Sequence, residues 1–361
     1  MLMHRMFVVL MALFALGACR APSPAPPAAA SASGSSPTAA AAPAGGSDPT
    51  AATVAPPASP VPLDKLKLTY PAESMGSLPV FAARDRGFFA RNGLDVETLF
   101  ITSERAMAAV ASGEIHYVGG VGGASVAASV AGLPLRAVWV AASSPPYVIF
   151  ARSEITTVEG LRGKRLGLSG VGGTVPVVAE QALKHYGLDL THDLVSVQIA
   201  GSDALRLEAM RAGAIDATPL TAPQSLTARQ GGFTPLVNAA EVVQMPLGGL
   251  SVSLATLTGN REQVRRVVRA LDEAQQWLLQ NREEAVALVM AALQTDRATA
   301  EGTYDESAPT FQGKGLVSRE GIENILQNLR DGGRIGPDAR YEDVADGSVA
   351  EEAGRDLGLL P

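Results

Sequence analysis

The chain has 361 residues, 47% of them hydrophobic, enough to bury one or two sizeable cores. A formal net charge of −7 and only 5% aromatic residues argue against nucleic acid, which calls for basic patches and stacking platforms. One cysteine, Cys19, excludes an internal disulfide, so the fold must stand on its core alone.

Residues 1–19 read as an export signal. His4 and Arg5 give a positive start, and the apolar run Phe7–Ala15 is too short to span a bilayer. It ends in Leu16-Gly17-Ala18-Cys19. Residues 20–63 are almost wholly Ala, Pro, Ser, Gly and Thr, a linker that cannot bury enough apolar surface to offset ordering entropy.

The folded part opens with a strand at Leu66–Tyr70, a loop to Leu78, and a helix over Pro79–Asn92 ending at Gly93. A strand at Val96–Ile101 follows, then a helix opened by Thr102 and Ser103, with Met107 and Val110 on its buried face. Ile115–Val118 reads as a strand leading into Gly119-Gly120-Val121-Gly122-Gly123 and a helix to Ala131. Leu135–Ala142 is a further strand, and Ser143-Ser144-Pro145-Pro146 is a crossing to a second lobe. That lobe contains a strand at Arg165–Leu168, a glycine-rich turn over Ser169–Thr174, and a helix burying Val177, Val178, Ala182 and Leu183.

The turn has two readings. It is a tight βα connection, or it brings backbone and free helix N–H groups close to an acceptor on a ligand. The glycine spacing is not G-x-G-x-x-G, and no G-K-[ST] follows, so a dinucleotide or nucleotide loop is unsupported.

The two lobes echo each other. Leu78-Pro79-Val80 matches Val175-Pro176-Val177, and Gly93-Leu94-Asp95 matches Gly187-Leu188-Asp189. Ser103 through Gly113 and Ile115 match Asp203 through Gly213 and Ile215 at an offset of 100. Paired α/β units of this kind face each other across a cleft lined by loops at the carboxyl ends of their strands. Beyond them, Val242–Leu257 reads as an interrupted strand, and helices follow from Arg261, from Asn281 and around Ile322–Leu329. Asn260 with Gln263, and Asn281 with Glu284, have capping-box spacing, and these helices are expected to return over the first lobe.

Catalytic constellations are scarce. His116, His185 and His192 lack metal-ligand spacing with a second His, Cys or carboxylate, and no G-x-S-x-G elbow exists. No catalytic residue, metal or cofactor is assigned. The cleft loops instead offer small polar groups among apolar ones: Glu73, Met75, Gly76 and Ser77; Thr102 and Ser103; Gly120, Val121 and Gly122; Ser143 and Ser144. The second lobe adds Gly172, Gly173 and Thr174, then Asp203, Thr218 and Leu220. Such a lining orients a small solute without transforming it.

Leu16-Gly17-Ala18-Cys19 resembles the lipobox of bacterial lipoproteins, which implies acylation of Cys19 and an anchor in the membrane. The order of motifs in the folded part is similar to the nitrate/sulfonate/taurine-type solute-binding proteins of ABC importers, a group that includes binders of thiamine-pyrimidine precursors. Carrying the resemblance are Leu78–Ala83, Arg86-Gly87-Phe88-Phe89, Asn92–Glu97, Leu161–Gly167, Gly213–Ala217 and Tyr341–Asp346. It implies a type II periplasmic-binding fold, with lobe I at 64–146 plus 243–361 and lobe II at 147–242. It implies too a monomer outside the cytoplasm that closes on a small organic solute (sulfonate, taurine-like or pyrimidine-precursor-like) and docks with a permease and its ATPase. Two departures stand out. His116 replaces the usual Asp after Gly-x-Ile, and Glu73 disfavours a bare anion unless Arg105 or Arg206 compensates. A sensory module uses the same design. The family's synthases depend on a cysteine-rich stretch, and this chain has no cysteine after Cys19.

Overall fold

The internal repeat folds into two sheets of the same strand order. The computed structural model describes residues 62–361 except 171–173 and 200, so the expectations for the signal, the lipobox Cys19, most of the linker, Gly172 and Gly173 lie outside the described residues. The strands are β1 (Asp64–Tyr70), β2 (Leu94–Phe100), β3 (Tyr117–Gly119), β4 (Leu135–Trp139) and β5 (Val148–Ala151). They continue with β6 (Arg165–Leu168), β7 (Val195–Gln198), β8 (Ala217–Leu220), β9 (Thr234–Asn238) and β10 (Leu250–Ser253). One five-stranded sheet runs β2-β1-β3-β10-β4 and the other β7-β6-β8-β5-β9.

Within each sheet four strands run in one direction, three of them paired side by side, as βαβ crossovers require. The antiparallel strands β10 and β5 occupy the same place in their two sheets. Each lies just after a crossing between sheets, at 140–147 and 239–249.

The helices, in chain order, are α1 (Leu78–Asp85), α2 (Phe88–Arg91), α3 (Ser103–Ala111), α4 (Gly123–Val130) and α5 (Thr174–His185). Next come α6 (Asp203–Arg211), α7 (Gln224–Gln230), α8 (Leu254–Gly259), α9 (Arg261–Gln280) and α10 (Arg282–Leu293). The last are α11 (Arg297–Ser307), α12 (Arg319–Asp331), α13 (Tyr341–Val344) and α14 (Ser348–Asp356). None of them is long and apolar enough to cross a membrane.

Several local expectations are corrected. The helix over Pro79–Asn92 is two helices, broken where Gly87 takes φ 73°, a left-handed conformation open to glycine. In α3 it is Ala106 and Val110 that are buried, while Met107 turns half-buried toward the cleft. The strand Leu135–Ala142 stops at Trp139, because the Val140 N–H donates to the Gly315 carbonyl (3.0 Å) and leaves the ladder. Of Val242–Leu257 only β10 is strand. Ser253 accepts from the Thr256 N–H (3.3 Å) and starts α8 instead. Neither Asn260 nor Asn281 caps through its side chain. Asn281 Nδ2 donates backward to the Trp277 carbonyl (2.9 Å), since α9 ends where α10 begins and needs its carbonyls satisfied.

The C-terminal helices do return over the first sheet. Val264, Val267, Val268, Leu271 and Leu278 of α9 join Leu68, Phe81, Phe89 and Val252 in one core. Ile322, Ile325, Leu326 and Leu329 of α12 are buried in a second core, which holds residues from both sheets, and α12 packs on α4.

That first core holds one buried acid. Asp272 of α9 accepts from the Trp139 indole N–H (2.7 Å), while its Oδ2 and the Gln275 Oε1 one turn on have no partner among the described residues. Burial pushes the Asp272 carboxyl up to about 8, against the pull of the indole hydrogen bond. The acid is then protonated in the fold but ionised in the unfolded chain between roughly pH 4 and 8, so its stabilising effect is present at low pH and lost as pH rises toward 8. Asp272→Asn keeps an acceptor for Trp139 and removes the titration. Thermal scans at pH 5 and pH 8.5 should show the wild-type Tm falling roughly 5 °C further than the variant's. Parallel falls would place the titration elsewhere.

Candidate functional site

A cavity of about 800 Å³ lies between the two sheets, at the carboxyl ends of their parallel strands. The loop after β1 brings Glu73, Ser74, Met75, Gly76 and Ser77 to it, ending in the first turn of α1. The loop after β2 brings Ser103, and the loop after β3 brings Gly120, Val121 and Gly122. These glycines are tied in place. The Gly120 N–H donates to the Gly249 carbonyl (2.7 Å), and the Ser251 hydroxyl donates to the Gly120 carbonyl (3.3 Å). The cavity is also lined by Leu247, Gly248 and Gly249, packed so closely on Gly76 that a Cβ at Gly248 would sit 2.5 Å from the Gly76 carbonyl oxygen.

The second sheet supplies Thr174 at the start of α5, and Thr221, Ala222 and Pro223 after β8. Thr221 is held by Asp203, whose Oδ2 accepts from its N–H (2.7 Å) and from its hydroxyl (2.8 Å). The other carboxylate oxygen of Asp203 accepts from Arg206, a guanidinium left only 1% exposed. Pro146 and Tyr147 enter from the first crossing. Burial pushes the Tyr147 phenol up to about 12, with Asp203 adding to the shift and Arg206 opposing it. Its hydroxyl has no hydrogen bond among the described residues and stays protonated, a donor and acceptor free for a ligand. Tyr70 lines the cavity too, braced edge-on by Phe81 (4.9 Å) and tilted against Phe100 (5.8 Å).

The charge balance is lopsided. Among the described lining residues there is no Lys, Arg or His, and Glu73 is the one carboxylate. Arg105 is exposed and Arg206 is taken up by Asp203, so neither offsets Glu73. The first turns of α1, α3, α4 and α5 all reach the cavity, bringing N–H groups without intrahelical partners. No group of three or more His, Cys, Asp or Glu is placed to hold a metal ion among the described residues.

Of the residues expected at the cleft, Glu73, Met75, Gly76, Ser77, Ser103, Gly120, Val121, Gly122 and Thr174 line it. The others among the described residues stand back for separate reasons. Thr102 is the exposed residue before α3. Ser143 lies in the crossing, its N–H donating to Thr310 (3.3 Å), and Ser144 is buried beside it. Thr218 turns its hydroxyl onto the Gly167 carbonyl (2.9 Å) within the sheet, and Leu220 is fully buried with Phe150 and Leu207. Asp203 acts one layer behind, through Thr221. Residues 221–223, directly after these strand positions, are the repeat's counterpart of Gly120–Gly122 and were legible from it. Leu293, Gln294 and Thr295, contributed by the end of α10, carry no comparable local signal.

Residues 75–285 match the family described as NMT1/THI5 like. The riboflavin-binding protein RibY of Chloroflexus aurantiacus is 26% identical over 316 residues, covering 84% of this chain and 83% of that protein. Among solved structures, the periplasmic aliphatic sulphonate binding protein SsuA of Escherichia coli superposes with a TM-score of 0.66 at 19% identity, over 78% of this chain and 92% of that one. The desulfurization enzyme DSZB shares the fold as well, with a TM-score of 0.57 at 15% identity, over 81% and 99% of the two chains. Two sheets of matched order, their exchanged antiparallel strands and a cavity between them make this the type II periplasmic-binding fold, and the chain belongs to the NMT1/THI5-like family.

Proposed function

We propose that the chain is a solute-binding lipoprotein of an ABC importer, held outside the cytoplasm by a lipid on Cys19. Lobe I (64–146 plus 243–361) and lobe II (147–242) close on a small organic solute and present it to a permease. The observation that carries this reading is the cavity, walled by loops of both sheets that the chain joins only through two crossings. Binding without transformation is supported by the lining, whose described titratable groups are Glu73, Tyr70 and Tyr147. Replacing Cys19 by Ser should release the protein from membranes, and retention would remove the lipid anchor from the account.

The solute is an uncharged ring compound in preference to a sulfonate. Glu73 repels an anion and no cationic side chain among the described lining residues compensates, while helix N–H groups and the Tyr147 hydroxyl suit carbonyl acceptors. The RibY relative points to a heterocycle of this kind. A thermal-shift comparison of riboflavin with an aliphatic sulphonate tests it. A heterocycle at 100 times its dissociation constant should add about 2.7 kcal/mol of stability. Stabilisation by the sulphonate alone would overturn the charge argument.

A further inference from the structure

Beside the cavity the two halves also meet through side chains of α7 and α11, at residues outside the two crossing segments themselves. Glu306, at the end of α11, accepts from the Ser225 hydroxyl on α7 through both carboxylate oxygens, at 2.7 and 2.8 Å. Each partner is fixed to its own half. In α11, Ala300 and Tyr304 lie in the core of the first sheet, and the Tyr304 hydroxyl donates to the Leu278 carbonyl of α9 (2.7 Å). In α7, Ala228 lies in the cluster of Phe150 and Leu207 from the second sheet's half. One turn earlier on α11, Gly302 receives Leu226, so that a Cβ there would sit 2.6 Å from the Leu226 Cδ1. The contact borders the cavity directly, because Ala222 and Pro223 precede Ser225 and Ser307 follows Glu306, and all three line it. Ser225 is wholly buried, and burial pushes the Glu306 carboxyl up against the opposing pull of Ser225, Arg229 and the Ala222 N–H.

We infer that Ser225–Glu306 and Leu226–Gly302 form a latch across the cleft, with Glu306 the positioning residue that keeps the Ala222–Pro223 wall against the other half. The inference rests on the solute-binding reading only for its purpose, holding the clamp shut, and its test needs no solute. Hydrogen–deuterium exchange is followed on the full chain in detergent for Glu306→Ala, Glu306→Gln and Gly302→Leu. The Ala variant removes the acceptor and the Leu variant wedges the contact open, so each should speed exchange in 221–230 and 297–307 by about tenfold. The cavity loops 71–77 and 120–125, which make no bond to either residue, should speed up as well, because opening the cleft exposes them. Glu306→Gln, whose carbonyl still accepts from Ser225, should stay near wild type. Faster exchange confined to α7 and α11 would reduce the contact to local packing. Unchanged exchange in both Glu306→Ala and Gly302→Leu, or an equal rise in β1 and β6, would refute the latch outright.

Discussion

Asp203→Ala is expected to destabilise the protein by about 3–5 kcal/mol, read as a fall in the urea midpoint at unchanged slope. The size follows from what the aspartate leaves behind. Arg206 is 1% exposed and its Nε has no partner among the described residues even in the intact structure, so removing Asp203 strands a buried cation. The Thr221 N–H and hydroxyl lose their shared acceptor at the same time. Arg206→Met in the same chain removes the stranded charge and should recover most of the loss, since a buried pair is often replaceable by apolar side chains. Solute affinity should stay low in the double variant, because the Thr221 N–H and hydroxyl lack the acceptor that orients them at the cavity. A loss under about 1 kcal/mol for Asp203→Ala would mean that Arg206 reaches water or another acceptor.

Two glycines at the cavity are expected to separate folding from binding. Gly249 has φ 135°, and a Cβ there would lie 2.4 Å from the Trp139 carbonyl oxygen and 2.9 Å from Val121 Cγ2. Gly249→Ala therefore meets both backbone strain and fixed atoms, and should cost about 3 kcal/mol or more. Gly122 differs in both respects. Its φ of −176° is extended backbone, and a Cβ there meets nothing within 4 Å among the described residues. It also caps α4, where Asn is among the best residues. Gly122→Asn should leave stability within about 0.5 kcal/mol, yet occupy the α4 N–H groups and lower affinity for a bound heterocycle by about tenfold. Thermal unfolding beside a binding titration decides it. Equal losses in both at Gly122 would make the loop structural only.

What the sequence disclosed was governed by locality. β6 stands where the strand before the glycine-rich turn is expected, at Arg165–Leu168, and α3 and α6 sit at the offset between Ser103 and Asp203. The residues that carry the family resemblance mostly secure the framework. Asp216 accepts from the Arg165 backbone N–H (2.9 Å) and from its side chain (3.0 and 2.7 Å), at the end of β6 away from the cavity. Gly167 lacks a side chain because a Cβ would meet Ile215 Cδ1 at 2.3 Å. Those motifs therefore announce the fold and say little about the solute. The cavity itself is assembled from segments distant in the chain, such as Tyr147, Gly248 and Gln294, and no periodicity reveals that they converge. Gly119 illustrates the same limit. It reads as one glycine of a loop, yet it closes β3 because a Cβ would lie 2.2 Å from the Thr69 carbonyl oxygen.

The most direct test of solute binding is native mass spectrometry of the full chain released from detergent, as purified and after mild unfolding. A clamp that captures solute predicts a discrete extra mass, lost on unfolding, belonging to an uncharged ring compound. A chain that carries no extra mass and takes up neither riboflavin nor an aliphatic sulphonate at millimolar concentration would contradict it.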